Sequence, residues 1–520
     1  ACGGGGASSA ASESASSLPQ DTRVEPTGEP QYGGTLKVTI NSDPGSLDIM
    51  LETSEDTQVP ASHIFETLLS QDLKGNAHTG VCSYEQSEDG MVITLTLRDG
   101  LTFHNGDPVT IEDIHATIDR WLANVPFAQN AVGSKVESIE YPDDKTVVFT
   151  FAEPAPLALQ ALSSYDRGPY VMPKSILEEA GDSYITEDIG YIGTGPYMFV
   201  EWQADRHIRL ARFEDYQPTD NDADGMAAPK MAYADEIMVI PVKDKMTRIT
   251  GVQTGSYDVG IGVPSNMYST LAADPNLAVV MTDLGITPGM VFNYIEGPTT
   301  DPKLRQAILA CLDMDSLMMA AEGDPNFYYL SPCFMPKASA FYNEAGLEKY
   351  EQYDVEAAKA LLAESSYAGE TLVYVTTKDY DYFYKTALLA ADMMRQIGIE
   401  VELTVVDNAT LEQMRSDPTQ YNIFSCGLTA KTDPTLIAFL ASDNWAGGYA
   451  SERKTELVNA LMSTPGQEER LALWEELSQL LYEEVPVITF GERRNAVVTR
   501  SNVHGLFEGT KKYYWNTWLS

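Results

Sequence analysis

The run TLKVTI (35–40) alternates apolar Leu36, Val38 and Ile40 with polar neighbours, the period of a half-buried strand. NSDPGSLDIM stops it, because Pro44 and Gly45 interrupt an extended ladder, and HIFETLLS then reads as a short helix. MVITLTLRDGLTF and KTVVFTFAEP repeat the alternation, the second introduced by the turn PDDK. Between them Thr110 and Asp113 stand at capping-box spacing ahead of the helix IEDIHATIDRWL. A further strand within 231–240 precedes KMTRITGVQTG, a helix ending at Gly255. From about residue 286 the pattern changes. GMVFNYI is a strand, and Asp301-Pro302 supplies a helix N-cap followed by proline at the first helical position. YDVEAAKALLAES, TLVYVTT, DYFYKTALLAADMMRQIGI and EVELTVVD then alternate helix and strand, as in an α/β domain. SERKTELVNALMS and QEERLALWEELSQLLYEE are two long helices closed by the strand VPVITF.

A chain of 520 residues with 43% hydrophobic and 21% charged residues is globular and too long for one ordinary core. Its opening, ACGGGGASSAASESASSLPQ followed by DTRVEPTGEPQYGG, cannot bury enough apolar area to offset chain entropy. Residues 1–32 are therefore expected to be a tether, with order beginning near Gly34. Within it Cys2 is either the lipid-bearing residue of an exported lipoprotein or an incidental cysteine in a disordered tail; the first reading is preferred. No run of some 18 apolar residues appears in the chain. A net charge of −42 argues against binding a phosphate backbone and against adsorption to anionic lipid heads. Cys82, Cys311, Cys333 and Cys426 show no CxxC spacing and read as mostly buried thiols, with a Cys311–Cys333 disulfide left open.

The sequence lacks a Walker loop, an HExxH and a GxSxG elbow. Ser451 and Lys454 match SxxK, but no KTG partner follows, and they fall on a helix expected to face solvent. The six histidines are scattered without ligand spacing, so neither a metal nor a cofactor is expected. Aromatic runs stand out instead: TTKDYDYFY, SDNWAGGY and KKYYWNTW, which suit either binding of a small polar organic molecule or ordinary edge-of-core packing.

From about Gly33 to the C-terminus the chain resembles the family 5 extracellular solute-binding proteins, the dipeptide, oligopeptide and nickel receptors of ABC importers. The resemblance is carried by GGTLKVTINSDPGSLD, SYEQSEDGMVITLTLRDGLTFHNGDPVTIEDI, GTGPYMFVEW with FEDY, FNY with DPKLRQAILACLD, YDVEAAKALL, QIGIEVELTVVD and Asp433-Pro434. It implies an α/β, two-lobed periplasmic-binding-protein-like fold of the class II type. Lobe I would comprise 33–285 and 491–520 with an inserted subdomain at about 74–188, and lobe II 286–490. It implies a monomeric receptor, not an enzyme, that closes on a peptide or peptide-like solute by hinge motion. Such a receptor sits at the outer face of the membrane or in the periplasm, held by lipid on Cys2, and delivers its solute to a permease. The alternatives are a receptor for a carboxylate-bearing compound, a sugar or a metal complex, an extracellular peptide hydrolase, or a surface adhesin.

In the family's peptide receptors an aspartate three positions before the DP pair anchors the ligand's amine; here that position is Ala430. Lys431 stands where another branch has arginine, and is the candidate contact for a ligand anion. Asn293 and Ser425 are candidate hydrogen-bond partners. Tyr380, Tyr382, Trp445 and Trp515 are candidate walls, joined by Phe127 in the facing segment 126–130. Asp433 is expected to fix its own loop, because Pro434 suits the first position of a helix.

Overall fold

The computed structural model describes residues 28–520; Cys2 and the tether as far as residue 27 lie outside them. Three sheets organise the rest. The first runs in the order Leu277–Asp283, Glu492–Arg500, Val259–Ile261, Thr35–Ile40, Glu236–Pro241, His207–Arg212, Tyr197–Gln203. Thr35–Ile40 pairs in parallel with both of its neighbours, and its alternation divides the side chains between the sheet faces. The same period sorts Leu277–Asp283 and Glu492–Arg500. Val280 and Val497 enter one core with Trp515 and Tyr514, while Val279, Ala496 and Val498 enter a second with Ile249 and Leu271.

The second sheet has the order Val401–Val406, Leu372–Thr377, Ile423–Thr429, Ile286–Phe292, Val487–Thr489. Helices cover both faces, so its strands are apolar on both sides: Tyr374, Phe292 and Ile423 join one core, and Val375, Val291 and Phe424 the other. A third, four-stranded antiparallel sheet comprises Cys82–Gln86, Val92–Leu97, Thr146–Phe151 and Val136–Glu140 and packs on Ile111–Asn124 around the fully buried Trp121.

The first and second sheets define two lobes, and the chain passes between those sheets at 284–285 and again at 490–491. Both passages use glycine. Gly285 has φ +69°, and a Cβ at Gly491 would sit 2.6 Å from the Tyr329 carbonyl oxygen.

Local signals explain the helix starts. The Asp113 carboxylate accepts from both the Thr110 N–H and hydroxyl at 2.8 Å, and Asp301 accepts from the Lys303 N–H ahead of Pro302–Cys311. The expected helix HIFETLLS is corrected: the helix is Glu55–Ile64, capped by Ser54 with Glu55 and Asp56 in its first turn, and Leu69–Gln71 is a strand. The early cap and the acidic first turn outweigh the apolar run that follows. Lys454 is also corrected. It is 1% exposed rather than facing solvent, because its ammonium reaches Asp443 and the Tyr449 carbonyl.

Cys82, Cys311, Cys333 and Cys426 are free and buried. Cys311 donates to the Ile308 carbonyl, while the Cys333 sulfur accepts from the Met335 N–H, so the two serve different local turns rather than a disulfide. Burial lifts their thiols to about 12, 12, 11 and 12 in chain order. We therefore expect none of the four to be alkylated in the native protein at pH 8, and all four in denaturant, read by mass spectrometry. Native-state labelling of any one would show that it is not enclosed.

Candidate functional site

Two adjoining cavities, of about 160 and 430 Å³, lie between the lobes beside the two crossing passages. They share Tyr165, Asp166, Asp283, Gly285, Ala430, Lys431, Thr510 and Lys511, so they form one cleft. Lobe I supplies the loop at 165–167 and the C-terminal segment at 508–513; lobe II supplies 429–432 and 336–339. The lobes touch at its rim. The Gln160 amide donates to the Thr432 carbonyl at 3.2 Å and accepts from its hydroxyl at 3.1 Å, and the Ala340 N–H meets the Lys74 carbonyl at 3.0 Å.

Charge is unevenly disposed in this space. In the larger cavity Lys511 pairs with Asp166 at 2.5 Å, Lys512 with Glu55, and Arg494 with Asp283 at 3.3 Å. Lys431 and Arg167 line the same cavity and make no ion pair among the described residues. Burial lowers the proton affinity of the Lys431 ammonium; Asp166 works against that and Arg167 with it. Burial likewise draws Lys512 down to about 8. A half-buried cation without a counter-ion is poorly solvated, and a ligand anion would relieve that state.

The structure places the sequence candidates as follows. Lys431 lines both cavities. Asn293 is fully buried, with its amide donating to the Pro418 and Tyr421 carbonyls and accepting from the Ile295 and Glu296 N–H groups, which consumes its hydrogen-bonding capacity. Ser425 donates to the Thr376 hydroxyl within the lobe II sheet. Trp515 is fully buried in the lobe I core, stacked on Tyr513 with the Lys230 ammonium 4.8 Å from its ring centre. Trp445 packs with Phe424 and Phe439, and Phe127 against the core of the inserted sheet. Tyr380 is 44% exposed at the start of Asp381–Gln396, and Tyr382 lies under the Arg493 guanidinium at 3.8 Å. Apart from Lys431, none of these eight lines the cleft.

Sequence reading passed over Tyr165, Arg167, Glu492, Lys511 and Lys512. One signal was present: with 34 basic against 76 acidic residues, the adjacent pair Lys511-Lys512 is an unusual concentration of cations. Arg167 and Glu492 carried no such mark, because only the chain crossings bring them to the cleft. Among the described residues no group of three or more His, Cys, Asp or Glu is placed to hold a metal ion, and no helix is long and apolar enough to cross a membrane.

A model of the bacterial extracellular solute-binding proteins, family 5 (middle region), matches residues 81–447. The probable peptide ABC transporter periplasmic-binding protein of Sinorhizobium fredii is 28% identical over 493 residues, covering 90% of this chain and 91% of its own. The substrate-binding protein CtaP of Listeria monocytogenes superposes with a TM-score of 0.80 at 21% identity, over 94% of this chain and all of that one. The binding protein DppA of Helicobacter pylori, in complex with the peptide STSA, superposes with a TM-score of 0.68 at 22% identity, over 94% and 98%. At these identities the two structures speak for a shared two-lobed fold.

Proposed function

This chain belongs to the bacterial extracellular solute-binding proteins of family 5, receptors rather than enzymes, and from that premise we propose that it captures a peptide or peptide-like small solute in the cleft between its lobes. The observation that carries the reading is the cleft itself, walled by both lobes at the two chain crossings and holding Lys431 without an ion-pair partner among the described residues. A solute touching Lys431 on one lobe and Tyr165, Arg167 and Lys511 on the other gains most of its contacts only when both are near. Binding therefore favours the closed arrangement, with the passages at 284–285 and 490–491 as the hinge. Relatives named as peptide and oligopeptide binders support the ligand class. Delivery to a permease, and retention at the membrane through lipid on Cys2, belong to the same reading.

Native mass spectrometry of the purified protein should show a bound peptide or peptide-like compound, released on unfolding. Lys431→Ala is expected to weaken binding of a carboxylate-bearing peptide by about 1.5–3 kcal/mol, the usual range for a hydrogen bond to a charged group. Calorimetry reads the change. An unaltered affinity would remove Lys431 from the role of anion contact. Failure of every peptide to raise the melting temperature would remove the ligand class, because a ligand specific for the native state must stabilise it.

A further inference from the structure

We infer that Glu492 receives a protonated amine of the bound solute, so that the cleft reads both poles of a zwitterion: an ammonium at the chain crossing, and a carboxylate at Lys431 and Arg167. The inference rests on the receptor reading above. Glu492 opens the strand Glu492–Arg500 immediately after the second crossing and lines the smaller cavity with Pro336, Ala338 and Ser339. The other acids of that cavity are accounted for. Asp72 meets His78 at 2.9 Å, Asp166 meets Lys511, Asp283 meets Arg494, and Glu508 is open to solvent. Glu492 has no cation within 4 Å among the described residues; its one close charged neighbour in sequence, Arg493, turns to Glu322. A partly desolvated carboxylate in a ligand cavity, left without a counter-ion, is complementary to an arriving cation.

A structural role competes with this reading, because the Glu492 carboxylate also accepts the Lys337 N–H at 2.9 Å. That role needs an acceptor but no charge, so glutamine fills it. The two therefore separate by titration. Burial, with Asp283 adding to it, raises Glu492 to about 7, against the Lys337 N–H, the Ser331 hydroxyl and the Lys337 ammonium. Tyr329, Tyr342, Tyr350 and Cys333 also face it and are held neutral at physiological pH by burial, while Lys74, Lys431 and Lys511 line the same cavity without forming an ion pair with it. A bound ammonium favours the ionised carboxylate, so binding near pH 7 should release a proton, and affinity should fall as the pH drops below 7.

The test presents the full chain with an equimolar mixture of tripeptides and with the same mixture N-acetylated. Retention is read by native mass spectrometry, and the best-retained sequence is titrated calorimetrically in two buffers of different ionisation enthalpy. Expected is a preference of about tenfold for the free amine, as for loss of one charge-assisted hydrogen bond, with proton release at pH 7; Glu492→Gln should lose both while keeping its melting temperature. Equal retention of free and acetylated tripeptides would overturn the inference and leave the receptor reading standing. So would an amine preference that persists in Glu492→Gln. If that variant fails to fold, the wild-type pH series decides, since a ratio of free to acetylated retention that is the same at pH 5 as at pH 7 excludes Glu492 as the amine contact, the Lys431 and Lys512 contributions being common to both mixtures. Retention of neither mixture would overturn both.

Discussion

Asp433→Ala is expected to lower the stability of lobe II by about 3–5 kcal/mol, the usual consequence of leaving one member of a buried ion pair behind. Asp433 is fully buried and Arg470 3% exposed, with carboxylate oxygen and guanidinium nitrogen 2.7 Å apart but poorly aligned for a hydrogen bond. The other carboxylate oxygen accepts from the Thr435 N–H at 2.9 Å and its hydroxyl at 2.6 Å, fixing the turn Pro434–Leu436. The substitution removes both the counter-charge and the cap. Arg470 is held in place: its guanidinium lies over the Phe341 ring, 5.2 Å from the centre, and its Nε donates to the Leu461 carbonyl. Chemical denaturation followed by tryptophan fluorescence measures the loss. The double variant Asp433→Ala/Arg470→Met should recover part of it, because the uncompensated charge is gone while the cap is still missing. Equal stability of the single variant and the wild type would show that the pair is solvated. Lys431 lies two residues before Asp433, so the single variant should also bind solute more weakly.

Acidification from pH 7 to 5 is expected to destabilise the protein by about 2 kcal/mol for each of two histidines, taking 1.36 kcal/mol for every pH unit below the unfolded pKa. His63 is buried and His104 half-buried, and both are held neutral. His63 Nδ1 lies 2.7 Å from the Val59 carbonyl, and its Nε2 accepts from the Tyr514 N–H at 2.9 Å. His104 Nε2 faces the Gly195 carbonyl at 2.9 Å, and its Nδ1 accepts from the Gly193 N–H at 3.3 Å. Each ring thus uses one nitrogen as donor and the other as acceptor, a division that only the neutral form can make. Desolvation lowers His63 from 6.5 to about 3 and His104 to about 4. The folded pKa lies below the unfolded one, so protons bind preferentially to the unfolded chain. The stabilisation is complete above pH 6.5 and is lost as the pH falls towards 3–4. Melting temperatures between pH 5 and 7 read the slope. His63→Gln and His104→Gln should each start less stable yet show a shallower dependence on pH; an unchanged slope in both would assign the acid sensitivity to carboxylates.

Much of the fold is legible because its determinants are local. Period-two alternation marks Thr35–Ile40, Val92–Leu97 and Thr146–Phe151, since a strand with one buried face must alternate. Asp301-Pro302 and Thr110 with Asp113 mark helix starts because the orphan N–H groups of a first turn need acceptors within a few residues. The helix at 55–64 was misplaced because Ser54, its cap, stands ahead of the apolar run by which it was sought.

The site divides along the same line. Lys431, the one sequence candidate that lines the cleft, stands out by its place beside the DP pair, a position defined by chain order. The aromatic candidates were not, because an aromatic side chain in a loop is apolar enough to be drawn into whichever core lies nearest, and Trp515 and Trp445 went to the cores of separate lobes. By itself the sequence determined the alternation of elements, the family and the two-part α/β architecture, since these follow from short-range periodicity and ordered motifs. Only the tertiary structure decided which charges meet across the cleft. Residues 165–167, 430–431, 492 and 508–513 are remote in sequence, and two chain crossings bring them together. Whether a charge there is paired depends on neighbours hundreds of residues away: Lys511 finds Asp166, while Glu492 has no cation within 4 Å among the described residues.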